Sequence, residues 1–392
     1  MPATILCFLL AAMTITIGAQ PRPRARDLNI APGTLEPGPL NAITDVAGVL
    51  VGQTTVVSGD NVRTGVTAVL PHGGNLFREK VAGAVFIGNA FGKLAGSTQV
   101  QELGTIESPI VLTNTLSVAA AMDATVRWTL AQPGNEQVRS VNALVGETND
   151  GGLNDIRGLH VTRDHVTTAI TGAKSGGVDE GAVGAGTGTV AFGWKGGIGT
   201  SSRRVRQGQD TYTIGVLVQT NYGGKLTIAG VPVWKELSPR TPAPPASVPA
   251  PPASAPAPSA SASAPSSSEV DGSCMIVVAT DAPLDARDLE RLAARAIFAM
   301  ARTGSTYSNG SGDFAIAFST HQSLRVGAGS APQQKTVLPT DSVSGLFEAT
   351  LDATEEAIYN SLLRAVDTTG GGRTIRALPL EELKALLKKY GR

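Results

Sequence analysis

The chain has 392 residues, 42% hydrophobic and 16% charged, and its 32 basic residues are balanced by 32 acidic ones. Zero formal charge excludes the basic excess on which a nucleic-acid-binding surface depends, and the hydrophobic share is that of a chain able to bury a core. With 46 glycines and only 4% aromatic residues, many tight turns and a core of Val, Ile, Leu and Ala are expected, as in strand-rich α/β architecture.

Residues 1–19 read as a secretory signal. An apolar run from Ile5 to Ala12 and on to Ile17 ends in small residues before Gln20, although no Lys or Arg precedes it. The run is at the short end for a membrane anchor, which needs ~20 apolar residues. The expectation is export to the periplasm or beyond, with no stable membrane association after signal removal. Cys7 would leave with the signal. Cys274 would then be the sole cysteine of the mature chain, a small buried strand residue without a disulfide partner.

Turn-rich sequence (Pro32-Gly33, Pro37-Gly38-Pro39) leads into a strand at 49–51, followed by strands at 65–70, 84–87 and 110–113. An Ala-rich helix is expected over 117–130 with Ser117 as its N-cap. Further strands are expected at 141–145, at 160–161 with 167–170, and at 215–219. Residues 242–268, almost entirely Pro, Ala and Ser, cannot build a core and form a solvated linker. That linker stops at Gly272-Ser273, where an apolar run to Ala279 reads as a strand covered on both faces. A helix over 285–302 follows, closed by Gly304, then a strand at 314–318 and helices at 354–366 and 380–390. Strands and helices interleave on both sides of the linker, which favours one α/β unit with an insertion.

Two readings compete for the linker. It is a plain connection between domains, or it leads to a backbone bond that the protein cuts itself, making Ser273 a new N-terminus. A serine whose own α-amine lies beside its hydroxyl carries a built-in general base. Other chemistries fare worse. Gly184-Ala185-Gly186-Thr187-Gly188 resembles a dinucleotide loop, but strand-like Val190 to Trp194 follows it where a phosphate-binding helix should start, so a tight packed loop is expected. His72, His160, His165 and His321 lack the spacing of a zinc site, and Gly272-Ser273 is not a Gly-x-Ser-x-Gly elbow. No metal and no cofactor are expected. Polar clusters stand at strand ends: Glu147 to Gly151, and a loop from Thr303 to Asp313 in which Ser311 and Asp313 flank a glycine.

Gly272-Ser273 opening an apolar strand, Ala301-Arg302-Thr303-Gly304 followed by Ser311-Gly312-Asp313, and Val218-Gln219-Thr220-Asn221-Tyr222-Gly223 occur in the same chain. So do Glu147-Thr148-Asn149-Asp150-Gly151 with Leu153-Asn154-Asp155-Ile156, and Arg63-Thr64-Gly65-Val66-Thr67-Ala68 with Pro71-His72-Gly73-Gly74. Together, from about Asp27 to Leu380, they resemble the self-cleaving L-aminopeptidase D-esterase/amidase and β-peptidyl aminopeptidase family. The resemblance implies a four-layer αββα sandwich like that of N-terminal nucleophile hydrolases, cut at Gly272-Ser273 into chains 20–272 and 273–392 of a single domain. It also implies Ser273 as nucleophile, Ser311 and Asp313 as partners of its α-amine, Asn221 as oxyanion donor, and Glu147 as the group holding a substrate's amino group. The partners would be small peptide, amide or ester substrates with a free amino group, and a homo-oligomer, a tetramer of paired chains. The long linker departs from the family pattern. A non-catalytic secreted binding protein of the same fold, and an acyltransferase using the same acyl-enzyme, are the alternatives.

Overall fold

The computed structural model describes residues 22–239, 272–327, 329 and 331–392. The expected signal (1–19) and the Pro/Ala/Ser segment (242–268) lie outside the described residues. The principal strands are β1 (Leu50–Ser58), β2 (Val62–Leu70), β3 (Glu79–Ala90), β4 (Ile110–Asn114), β5 (Leu144–Thr148), β6 (Gly197–Gln207), β7 (Asp210–Asn221), β8 (Ser273–Thr280) and β9 (Gly312–Ser319). The longer helices are α1 (Val118–Leu130), α2 (Arg163–Thr171), α3 (Ala286–Thr303), α4 (Ser344–Leu363) and α5 (Leu380–Lys389).

One sheet runs β1-β2-β4-β5 and ends on the short strand Leu94–Ala95; the other runs β6-β7-β8-β9-β3 and ends on Val326–Gly327. The fold is thus mixed α/β. β8 pairs antiparallel with β7 and parallel with β9, and the parallel pair needs a crossover, which α3 supplies. Residues from both sides of the Pro/Ala/Ser segment therefore share one sheet.

Every residue of β8 is buried, as its unbroken apolar run predicts, and the two-residue period of a strand divides them. Met275, Val277 and Ala279 join Leu112, Leu144, Leu217 and Ile316 in a cluster drawn from both sheets. Cys274, Ile276 and Val278 instead meet Leu289, Leu292 and Ile297 of α3 and Leu346, Ala353 and Ala357 of α4. A third cluster joins Val66, Val111 and Val145 to Ala121 and Ala124 of α1 and Val166, Ala169 and Ile170 of α2.

The helix α3 starts where Asp285 accepts the Asp288 N–H at 3.0 Å and stops at Gly304, whose φ of 97° suits a residue without Cβ. Elsewhere the expectations shift. The stretch 167–170 is helix: Thr162 caps α2, and Val166, Ala169 and Ile170 face inward at helical spacing despite the β-branched threonines. Ser117 precedes α1 without a side-chain cap, while Asn114 accepts the Ser117 N–H at 3.0 Å. The expected strand at 141–145 is displaced to β5, which takes in Glu147 and Thr148. α4 begins ten residues before 354 and stops at Leu363. Gly184–Gly186 is a buried 3-10 turn, as expected of a packed loop.

Candidate active site

Ser273 stands at the start of β8, opposite Asn221 at the end of β7 and beside Gly312 at the start of β9. Directly opposed residues in a sheet point the same way, so Ser273 and Asn221 share the face of Met275, toward the first sheet. Both line a cavity of about 720 Å³ whose walls also include Glu147, Lys93, Thr115 and Arg373. Ser273 Oγ accepts the Gly312 N–H at 3.2 Å. Asn221 Oδ1 accepts the Val190 N–H at 2.9 Å, which fixes the amide so that its Nδ2 protons lie on the other end.

Gly272 also lines this cavity. A Cβ there would fall 2.0 Å from Asn221 O and 2.5 Å from Tyr222 Cα. Only glycine brings the chain this close to β7. Gly312 is similarly constrained, since its Cβ would lie 2.8 Å from Gly92 Cα.

Asp313 is opposite Cys274, not Ser273, so it lies on the other face of the sheet. There Ser311 Oγ donates to both of its carboxylate oxygens at 2.8 Å, and the backbone N–H of Cys274 is a further donor. Burial pushes the Asp313 carboxyl up to about 6, against the pull of those donors. The pair is therefore placed against the main-chain side of the Ser273 strand end, whereas the Ser273 hydroxyl faces the cavity.

Glu147 is buried across the cavity. One carboxylate oxygen accepts the Lys93 N–H at 3.0 Å, with Lys93 Nζ at 3.8 Å, and the other accepts the Thr115 hydroxyl. Thr115 arrives there because β4 runs parallel to β5, with Thr113 beside Glu147 and Asn114 beside Thr148. Of the residues expected at the site, Ser273, Gly272, Asn221 and Glu147 meet at one cavity, and Ser311 with Asp313 stands behind the strand end. Lys93, Thr115, Val190 and Arg373 were not anticipated. None of the four left a site signal in the sequence, because their approach to the cavity depends on which strands and loops come together. Among the described residues, no group of three His, Cys, Asp or Glu could hold a metal ion, and no helix is long and apolar enough to cross a membrane.

A strand-end serine, the amide opposite it and a buried carboxylate thus meet across one cavity. Residues 41–375 match peptidase family S58, and the chain belongs to that family. It is 43% identical over 404 residues to a β-peptidyl aminopeptidase of Sphingosinicella microcystinivorans, covering 100% of this chain and 97% of that one. Its fold is similar to that of the L-aminopeptidase D-Ala-esterase/amidase of Ochrobactrum anthropi, described as a variant of the Ntn hydrolase fold. The TM-score is 0.82 at 36% identity, over 95% of this chain and 99% of that one. A Burkholderia sp. β-aminopeptidase is similar at a TM-score of 0.81 and 36% identity, over 94% and 99% of the two chains.

Proposed function

We propose that this chain is an exported, self-processing serine aminopeptidase that releases N-terminal residues from short peptides, amides or esters. Ser273 Oγ attacks the Gly272 carbonyl, the peptide C–N bond breaks as its nitrogen takes a proton, and water hydrolyses the resulting ester. Ser273 then carries a free α-amine. In turnover that amine takes the hydroxyl proton as Oγ attacks the substrate carbonyl, and the proton passes to the leaving amine or alcohol. Water then hydrolyses the acyl ester, returning a proton to Oγ and releasing the N-terminal residue. Asn221 Nδ2 would stabilise the oxyanion by roughly 3 kcal/mol. Ser311, held by Asp313, would orient the α-amine. A substrate ammonium would bind Glu147 where Lys93 Nζ now stands at 3.8 Å.

The observation that carries this reading is the end of β8: a buried serine preceded by a glycine that admits no side chain, with Asn221 opposite and the Ser311–Asp313 pair behind it. The similarity to enzymes described as aminopeptidases supports an N-terminal substrate specificity. The three core clusters support a four-layer αββα sandwich made by chains 20–272 and 273–392 of one domain. A homo-oligomer is proposed from the family resemblance.

Denaturing mass spectrometry and N-terminal sequencing of protein from its native host test the proposal. Two chains are expected, the smaller beginning Ser273-Cys274 and the larger near Gln20, and light scattering should give a multiple of their summed mass. Ser273→Ala should remain one chain without activity. Processing that persists in that variant removes the nucleophile assignment, and a larger chain that retains Met1 removes export.

A further inference from the structure

We propose that Lys195 is a positioning residue for Asn221: its buried ammonium fixes the loop from Gly186 to Gly196 so that the Val190 N–H holds the Asn221 amide with its NH₂ end toward the cavity. This rests on the oxyanion role proposed for Asn221 and adds to that site a residue that does not touch substrate.

Lys195 is wholly buried, and its Nζ donates to Gly186 O at 2.9 Å, Thr189 O at 2.9 Å and Gly196 O at 2.7 Å. All three ammonium protons are thus used on carbonyls of one loop. Thr189 O also accepts the Gly196 N–H at 3.1 Å, closing the short hairpin Val190–Ala191 with Trp194–Lys195. The next residue after Thr189 is Val190, whose N–H reaches Asn221 Oδ1 at 2.9 Å. The loop is closely packed on its other sides: a Cβ on Gly188 would lie 2.1 Å from Arg63 O and one on Gly186 2.5 Å from Ile198 N. Removing the ammonium leaves Gly196 O without its donor and takes one of two donors from Gly186 O and Thr189 O, which keep the Thr189 hydroxyl at 3.0 Å and the Gly196 N–H at 3.1 Å. The loop thereby loses the tie that joins its two ends.

An amide has a donor end and an acceptor end, and only the donor end stabilises an oxyanion. The Val190 N–H selects which end faces the cavity, since it satisfies Oδ1. If it moves away, Asn221 can turn and present lone pairs to the developing negative charge. A catalytic effect is thereby routed from Lys195 through one hydrogen bond. Burial pushes the Lys195 ammonium down to about 7, and the Asp150 carboxylate, buried after β5 and bonded to Asn154 at 3.0 Å, opposes that loss of charge.

A double-mutant cycle tests this. Lys195→Met, Asn221→Ala and the double variant are compared after self-cleavage of the full chain has gone to completion, with an amino-acid amide as substrate. Lys195→Met should lower kcat by about 10–100-fold with KM changed by less than about twofold. In the Asn221→Ala background the same change should cost less than about twofold, because the group it positions is gone. Losses that multiply in full overturn the positioning role and leave Lys195 a structural residue. An unchanged kcat in Asn221→Ala alone overturns the oxyanion assignment itself, and the inference with it. Should Lys195→Met fail to fold, Lys195→Gln, which keeps two of the three donors, decides the question in the same cycle. Its kcat loss should be smaller and equally dependent on Asn221, and independence from Asn221 overturns the proposal.

Discussion

Asp313 is a carboxylate made costly by burial, and the direction of that cost yields two measurements. In the uncleaved chain its folded-state affinity for a proton is raised, from an ordinary 3.8 to about 6. The folded state therefore binds the proton more tightly than the unfolded state, and stability contributed below pH 3.8 is lost as pH rises through 6. In a Ser273→Ala background, Asp313→Asn should raise unfolding free energy by on the order of 2 kcal/mol at pH 7.5 in urea titrations, and the gain should vanish below pH 4. In the proposed processed form the roles reverse, since a carboxylate near a free Ser273 amine would favour the ammonium. Asp313→Asn should lose most of its kcat/KM and move the acidic limb to lower pH. A limb displaced upward would mean that Asp313 does not face the amine. Gly272 is a second residue whose identity is forced. Its missing Cβ is what lets the chain lie against Asn221 O and Tyr222 Cα. Gly272→Ala must push the carbonyl of the proposed scissile bond outward, and because ~1 Å of misplacement costs about 100-fold, self-cleavage followed by mass spectrometry should slow by roughly 10–100-fold.

The helix α4 and the strand β6 show how far local pattern can diverge from burial. Ser201, Ser202 and Arg203 of β6 are all buried. Arg203 Nη2 meets Glu356 Oε2 of α4 at 2.7 Å, with both side chains out of solvent. Ser201 Oγ donates to Asn41 Oδ1 at 2.9 Å, and Ser202 Oγ to Asp45 at 2.6 Å. Breaking such a pair strands one charge, so Glu356→Ala should destabilise by about 3–5 kcal/mol. Joint replacement by Arg203→Met and Glu356→Leu should cost clearly less than the two single changes summed, as read from denaturant midpoints. Polar residues that pair with each other inside a protein carry no hydrophobic period, so β6 left no strand signal, while the early start of α4 at Ser344 follows Val343 without a side-chain cap to mark it. α3, by contrast, has an exposed side, and its Leu289, Leu292, Ala293, Ala296, Ile297 and Met300 stripe was legible with its stop at Gly304.

The molecule as a whole is stitched across the Pro/Ala/Ser segment by the pairing of β7 with β8. Pro239 and Gly272, on either side of the segment, line the same cavity, so little chain is needed to connect them. Deleting 242–265 should leave folding and the steady-state rate of the processed enzyme within about twofold, since loop length weighs on stability only logarithmically. A large fall in rate would instead make the segment a gate over the site. By itself, the sequence determined the β8 strand and its glycine–serine opening, α3, and the separate polar clusters at Glu147, Asn221 and Ser311–Asp313. Each is written in a short run of residues whose composition decides local structure. Only the tertiary structure decided that β4 lies beside β5 and brings Thr115 to Glu147, that sheet parity sends Ser273 to the cavity and Asp313 behind it, and that Lys195 sits under Val190. Those relations depend on which strands pair and in what register, and that is settled by packing between residues far apart in the chain.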